Sequence, residues 1–309
     1  MIKKSHHLDH GHYYEVEQQS LECCSNGGLF SNFYHTLWSL IDLHNQQLFT
    51  RFITFKKGNK LFRDSSIDDL FPYLFKINDQ KLTSWEATHK SIRRLARPDH
   101  HGVYALYPVD LYRPIIESYF QASDSVSEII KSMQNNYELS GQPYAAFYYR
   151  GTDKHTEVTL PQINDMIESI KRQMKDSNLS RCLVQTDDAE VLKISLDQLP
   201  GAFYLKELPV TSSKQGFHFE NVESNIINPV LFSQRLVAMT FIMANAHSLT
   251  LPVSNLAGWI YLLRSNHRNV IQYNKHGNAV NSCYLRSFAI KNKLRYLRSA
   301  IMKKTYYYV

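Results

Sequence analysis

Apolar positions along this chain change their spacing several times, and each change predicts an element. Ser20 to Cys24 is a short run leading into Asn26-Gly27-Gly28, after which Leu29, Phe33, Leu37, Leu40 and Ile41 recur at helical spacing. Strand, glycine turn and amphipathic helix are predicted there. Gln47 to Phe55 is aromatic and β-branched enough for the next strand, and Asp64 to Lys90 reads as a mixed, helical and partly irregular excursion. Tyr119 to Tyr137 predicts a helix that ends before Ser140-Gly141-Gln142-Pro143.

The second half is plainer. Tyr144 to Tyr149 and Arg181 to Gln185 read as strands on either side of a helix whose Ile163, Met166, Ile167, Ile170 and Met174 share one face. Strand, helix, strand implies a parallel sheet. Asn228-Pro229 opens a further helix with Phe232, Leu236, Met239 and Met243 inward, Ser248 to Leu251 is a short strand, and another helix starts at Ser254-Asn255. The fold class is therefore α/β, with a junction expected between Ser123 and Gly141. The expected units are an N-terminal α/β domain over 1–130, a C-terminal α/β domain over 131–283 and a terminal helix over 284–309.

Chemistry concentrates at one strand end. Tyr148-Tyr149-Arg150-Gly151-Thr152-Asp153-Lys154-His155-Thr156-Glu157 places a fixed cation, a turn and two carboxylates after a strand. In an open α/β sheet that edge faces the ligand crevice, and arginine's planar fork suits a diphosphate. Lys154 is a second cation there, and Glu157 and Asp153 compete as the general base. Asp187 and Asp188 close the next strand, where a turn or helix cap is their ordinary use. Ser254 and Asn255 sit at a helix start, a place that favours phosphate and also ordinary capping.

Taken in order, Gly27-Gly28-Leu29-Phe30-Ser31-Asn32, Arg150 to Lys154, Gln185-Thr186-Asp187-Asp188 and Val253-Ser254-Asn255-Leu256 span most of the chain. Arg150 to Lys154 fits an Arg-x-Thr-Asp-Lys motif, and the set resembles the α1,6-fucosyltransferase superfamily. That group includes bacterial nodulation fucosyltransferases and, more distantly, protein O-fucosyltransferases. The resemblance implies two facing Rossmann-like domains of GT-B type, with the nucleotide-sugar site mainly in the C-terminal one. It implies GDP-fucose as donor, a glycan or glycoprotein hydroxyl as acceptor, inversion of configuration and no metal.

Residue by residue, the resemblance makes Arg150 the diphosphate clamp and Glu157 the match to a glutamate that follows the lysine. It sets Asp187 and Asp188 near the nucleotide base, and Gly28, Ser31 and Asn32 across the cleft from it. Ser254 and Asn255 fall where the family carries a Ser-Ser-Gln-like segment against the diphosphate. Two departures stand out: Gly151 replaces a second arginine, and Glu157 comes one residue early.

Composition adds bounds. At 309 residues and 43% hydrophobic, the chain can bury sizeable cores. Cys23, Cys24, Cys182 and Cys283 have neither zinc spacing nor disulfide density and are expected as free thiols. His6, His7, His10 and His12 are expected to be solvent-exposed, and His218 packed in a loop. No apolar run approaches a membrane span and the start lacks a signal-peptide hydrophobic region, so a cytoplasmic protein is expected.

The formal charge of +7 equals the seven basic residues of 284–309, a stretch with no acid. With Ile290, Leu294, Leu297 and Ile301 at helical spacing, it is a basic amphipathic helix suited either to anionic lipid or to packing on the body. Two other readings fit the sequence: a nucleotide-sugar binder without turnover, and a nucleic-acid-binding protein that uses its basic and tyrosine-rich surface.

Overall fold

The computed structural model describes residues 5–24, 27–56, 62, 67–88, 94–99, 102–104, 109–152, 156–212, 228–265 and 268–281. Asp153, Lys154, His218, Cys283 and the basic segment 284–309 lie outside the described residues.

The polar start is structured. β1 (Ser5–His7), β2 (Tyr13–Glu15) and β3 (Ser20–Glu22) form an antiparallel meander, and a 3-10 turn, Asp9–Gly11, joins the first two. His12 is not solvent-exposed as its position suggests; it is wholly buried, with Nδ1 at 2.9 Å from Ser39 Oγ. His10 does remain exposed, but its ring stacks on His35 with centroids 3.7 Å apart.

α1 (Leu29–Asn45) buries the face that the spacing predicts and crosses to β4 (Phe52–Thr54), which lies parallel to β3. The strand expected over 47–55 shrinks to its last third for a local reason. Gln47 takes a positive φ of 61°, and the Gln47 and Leu48 N–H groups bond back to His44 and Leu43 carbonyls, so 46–48 finish the helix.

The expected helix over 119–137 is two helices. After α2 (Phe71–Leu74), β5 (Phe75–Lys76) and α3 (Asp79–Thr88), α4 (Val109–Tyr119) stops at Tyr119, and β6 (Gln121–Ala122) pairs antiparallel with β5. α5 (Asp124–Asn136) then begins anew behind Ser123, whose Oγ accepts from Val126 N and donates to Tyr73 O. Phe120 is buried at the break, so tertiary packing separates two segments that share a helical pattern.

The second half follows its pattern closely. β7 (Ala145–Tyr149), α6 (Ile163–Asp176), β8 (Cys182–Thr186), α7 (Ala189–Gln198) and β9 (Ala202–Phe203) run in succession. α8 (Pro229–Ala244), β10 (Ser248–Pro252), α9 (Asn255–Leu263), β11 (Val270–Tyr273) and β12 (Ala279–Asn281) complete the order. The six-stranded sheet reads β12-β11-β10-β7-β8-β9, parallel except for β12.

Both faces of this sheet are covered, as a parallel sheet requires. Ala145, Phe147 and Tyr149 pack with Met166, Ile167, Ile170 and Met174 on one side. Tyr144, Ala146 and Tyr148 face the other, in a core that continues through α8 and α9 to α1. α8 is apolar almost all round because α2, α5 and α9 pack about it. Met239 and Met243 are buried as expected, whereas Phe232 and Leu236 are only partly so and Val237, Ala238 and Ile242 take the deep positions. Cys23 and Cys182 are buried thiols and Cys24 a partly exposed one, outside any disulfide. Among the described residues, no helix is long and apolar enough to cross a membrane.

Candidate active site

Strand order locates the site. From β7 the chain moves to β8 and β9 on one side, then returns through α8 to β10 on the other side of β7. The carboxyl ends of β7 and β10 therefore flank a topological switch point, where ligands of open α/β sheets bind. Arg150 follows β7, and Ser254 with the start of α9 follows β10.

Asp187, at the end of β8, organises the Arg150 turn. Tyr149 pairs with Thr186 in register, which brings the two strand ends level. Asp187 Oδ1 then accepts from Gly151 N at 3.2 Å, and Oδ2 accepts from Thr152 Oγ1 at 2.7 Å and lies 3.8 Å from Arg150 Nε. The Arg150 side chain keeps partial exposure, with its guanidinium Nε at ion-pair distance from the Asp187 carboxylate. Asp188 does different work: its Oδ1 caps α7 by accepting from Glu190 N and Val191 N at 2.9 and 3.1 Å.

Gly151 has a steric reason. A Cβ there would lie 2.7 Å from Tyr149 Cε1 and 3.2 Å from Asp188 Oδ2, so the space that a second arginine would need is filled by the Tyr149 ring. Burial, reinforced by the negative charges of Asp188 and Asp187, raises the Tyr149 pKa and keeps its hydroxyl protonated.

At the β10 edge, Ser254 is fully buried and its Oγ accepts from Ala257 N at 3.1 Å, an N-cap. Tyr104 Oη accepts from Ser254 N at 3.0 Å and donates to Ser254 O at 2.5 Å. The serine side chain is thus committed to the helix start. The N–H groups of Asn255 and Leu256 have no partner among the described residues, and Asn255 Oδ1 is buried without one. A helix start with two open N–H groups favours an anion.

The first half contributes the start of α1. Gly28 is its N-cap, with open space where a side chain would be, and Ser31 and Asn32 lie in the first turn. Asn32 Oδ1 is buried without a partner. The next residue, Phe33, packs its ring on Trp259 with centroids 5.6 Å apart, so the first turns of α1 lie against the middle of α9.

Glu157 is exposed, in the loop that leaves the Arg150 turn. That loop is tied to the β11–β12 turn, since Thr159 N donates to Lys275 O at 3.1 Å and Gly277 lies against Leu160 and Pro161. The structure thus gathers Arg150, Asp187 and Asp188 around one turn and sets Ser254 and Asn255 at the start of α9, just beyond the neighbouring strand β10. Gly28, Ser31 and Asn32 stand on the helix packed against α9. The described residues include no group of three or more His, Cys, Asp or Glu placed to hold a metal.

Sequence reasoning missed Thr152 and Tyr104 as site-building residues. Thr152 lay inside the motif and its hydroxyl was the available signal, whereas Tyr104 carries none.

No family model and no curated protein sequence matches the chain. Solved structures do match in fold. Fucosyltransferase NodZ from Bradyrhizobium is 11% identical, with a TM-score of 0.50 over 84% of this chain and 96% of that one. NodZ α-1,6-fucosyltransferase soaked with GDP-fucose gives 13% and 0.51 over 84% and 97%, and the same enzyme co-crystallized with GDP gives 11% and 0.50 over 84% and 96%. The likeness is one of fold, it covers nearly the whole of those enzymes, and it agrees with the GT-B architecture that the motifs imply.

Proposed function

We propose that the protein is a glycosyltransferase that takes fucose from GDP-fucose and delivers it to a hydroxyl of a glycan or glycoprotein. The observation that carries this reading is the placement of Arg150 and the open start of α9 just beyond the carboxyl ends of the two strands that flank the switch point. Support comes from a fold shared with a fucosyltransferase that was soaked with GDP-fucose and co-crystallized with GDP. An arginine fork and two backbone N–H groups together suit the two phosphates of a nucleoside diphosphate.

In the proposed reaction, the acceptor oxygen attacks the anomeric carbon from the face opposite the diphosphate. The bond from that carbon to the β-phosphate oxygen breaks, the acceptor proton passes to Glu157 or Asp153, and GDP leaves. Arg150 and the start of α9 meet the charge that grows on the leaving group. One displacement inverts the anomeric centre. Because the chain supplies the neutralising groups, the proposal assigns no metal, and activity should survive chelation. The basic segment 284–309 is proposed to hold a cytoplasmic enzyme against anionic lipid; cosedimentation with phosphatidylserine vesicles, lost when the segment is removed, checks this.

The decisive experiment is a thermal-shift series with GDP, UDP, ADP, CMP and their sugars, with Arg150→Ala in parallel. A ligand at a hundred times its Kd stabilises the native state by about 2.7 kcal/mol. Stabilisation by GDP and GDP-fucose, lost in Arg150→Ala, is expected. Silence with every nucleotide would sink the donor site, and binding of GDP-fucose without sugar release to any acceptor or water would mark an inactive binder.

A further inference from the structure

We infer that Tyr104 is a positioning residue for the diphosphate end of the site, holding the residue that caps α9 from beneath; this rests on the donor reading above. Tyr104 comes from the first half of the chain and is wholly buried. Its hydroxyl engages both backbone groups of Ser254, accepting from N at 3.0 Å and donating to O at 2.5 Å. A hydroxyl has one donor and two acceptor positions, so this double contact fixes Ser254 in orientation as well as place.

Tyr104 is itself anchored to the sheet. Its backbone N–H donates to Gln272 Oε1 at 2.7 Å, and Gln272 Nε2 donates to Gly102 O at 2.9 Å. Gln272 lies on β11 and pairs in register with Leu251 of β10. The residue therefore spans from the sheet to the helix start. Gly258 permits the approach, since a Cβ there would lie 3.0 Å from Tyr104 Cε1.

Held this way, Ser254 stays extended, with φ −167° and ψ 163°, and its Oγ is free to cap Ala257. The N–H groups left for an anion are those of Asn255 and Leu256. Rotation at Ser254 would swing both away from the crevice and leave Ser254 N buried and unpaired. Tyr104 thus acts on the ligand only through the backbone that follows Ser254.

The test compares the full chain with Tyr104→Phe and Tyr144→Phe. Tyr144 is a matched control: it is also buried, and its hydroxyl donates to Ile242 O at 2.6 Å, away from the start of α9. Amide hydrogen exchange across 253–258 and calorimetric affinity for GDP are both read, alongside the unfolding midpoint. Tyr104→Phe is expected to speed exchange at 253–258 and raise the GDP Kd by about tenfold, a 1.4 kcal/mol effect. Tyr144→Phe is expected to lower the midpoint comparably and leave exchange there and GDP affinity alone.

Unchanged exchange at 253–258 in Tyr104→Phe, or an equal loss of affinity in Tyr144→Phe, overturns the inference. Should the unaltered protein bind neither GDP nor another nucleoside diphosphate, the donor reading fails instead. The exchange measurement then decides alone whether Tyr104 anchors α9.

Discussion

The hydroxyl of Tyr34 lies 1.8 Å from the point where a Cβ on Gly258 would stand. Tyr34 is on α1 and Gly258 on α9, so the two helices close on a position that only glycine can fill. The need is for space, since Gly258 is helical. The ring of Tyr34 also packs edge-on to Trp259, with centroids 5.9 Å apart, which leaves it little room to withdraw. Gly258→Ala should therefore destabilise the fold by about 1–3 kcal/mol through overpacking, although alanine is the better helix former. Adding Tyr34→Phe removes the nearest atom but leaves Cζ at 2.8 Å, so the double variant should recover part of the loss. Urea unfolding of the two single variants and the double one measures this, and a Gly258→Ala chain as stable as the parent would contradict it.

Asp187 should matter to the ligand almost as much as Arg150 does. Its carboxylate is the shared acceptor for Gly151 N and Thr152 Oγ1 and the neighbour of Arg150 Nε. Asp187→Ala releases the whole turn, and GDP affinity is expected to fall by about tenfold or more, the scale of one charge-assisted contact. Asp187→Asn keeps an acceptor for one of the two bonds and should lose less. Calorimetric titration of each variant with GDP decides the order, and equal affinity in Asp187→Ala and the parent would refute the organising role.

What the sequence disclosed about this molecule was local. The β7, α6 and β8 unit was legible because Ile163, Met166, Ile167, Ile170 and Met174 follow helical spacing between two apolar runs. Ser123 was not legible as a cap, because the helical pattern of 119–137 continues through it and the helix is interrupted by tertiary features, the burial of Phe120 and the pairing of β6 with β5. The buried state of His12 depends on Ser39, which lies 27 residues away. In the site, Arg150 at a strand end was visible. Its link to Asp187 was not, since that needs the register pairing Tyr149 with Thr186. The hold of Tyr104 on Ser254 joins residues 150 apart, and no spacing rule reaches so far.

Arg264 offers a test of how α8 is closed. It is 1% exposed, and its Nη1 donates to the carbonyls of Ala244 and Ala246 at 3.1 and 2.8 Å, the end of α8 and the turn behind it. Burial pulls its pKa down to about 10, with Tyr261 and Tyr144 nearby acting the other way, so the cation persists at neutral pH. Arg264→Met keeps much of the volume and leaves those carbonyls without their donor. A loss of about 2–4 kcal/mol is expected in urea unfolding, and Arg264→Lys should recover only part, because a single ammonium cannot reproduce the fork. A neutral Arg264→Met would show that the guanidinium contributes packing alone.

His12 should make the fold acid-sensitive well above the carboxylate range. Burial first, then the neighbouring His35 and His10, lowers its pKa from 6.5 to about 4. Its Nδ1 meets Ser39 Oγ, and its Nε2 is buried without a partner, so the folded protein holds the neutral ring. Above pH 6.5 neither state is protonated at this residue and its contribution is complete. Between 6.5 and about 4 the unfolded chain takes up a proton that the folded one refuses, and stability falls as the pH falls. The total loss from this residue is on the order of 3 kcal/mol. His12→Asn removes the proton uptake, so it should be less stable than the parent at about pH 7.5 yet lose less on going to about pH 4.5. Urea unfolding at those two values and at about pH 6 compares the slopes. Identical slopes would mean that His12 charges freely in the folded state.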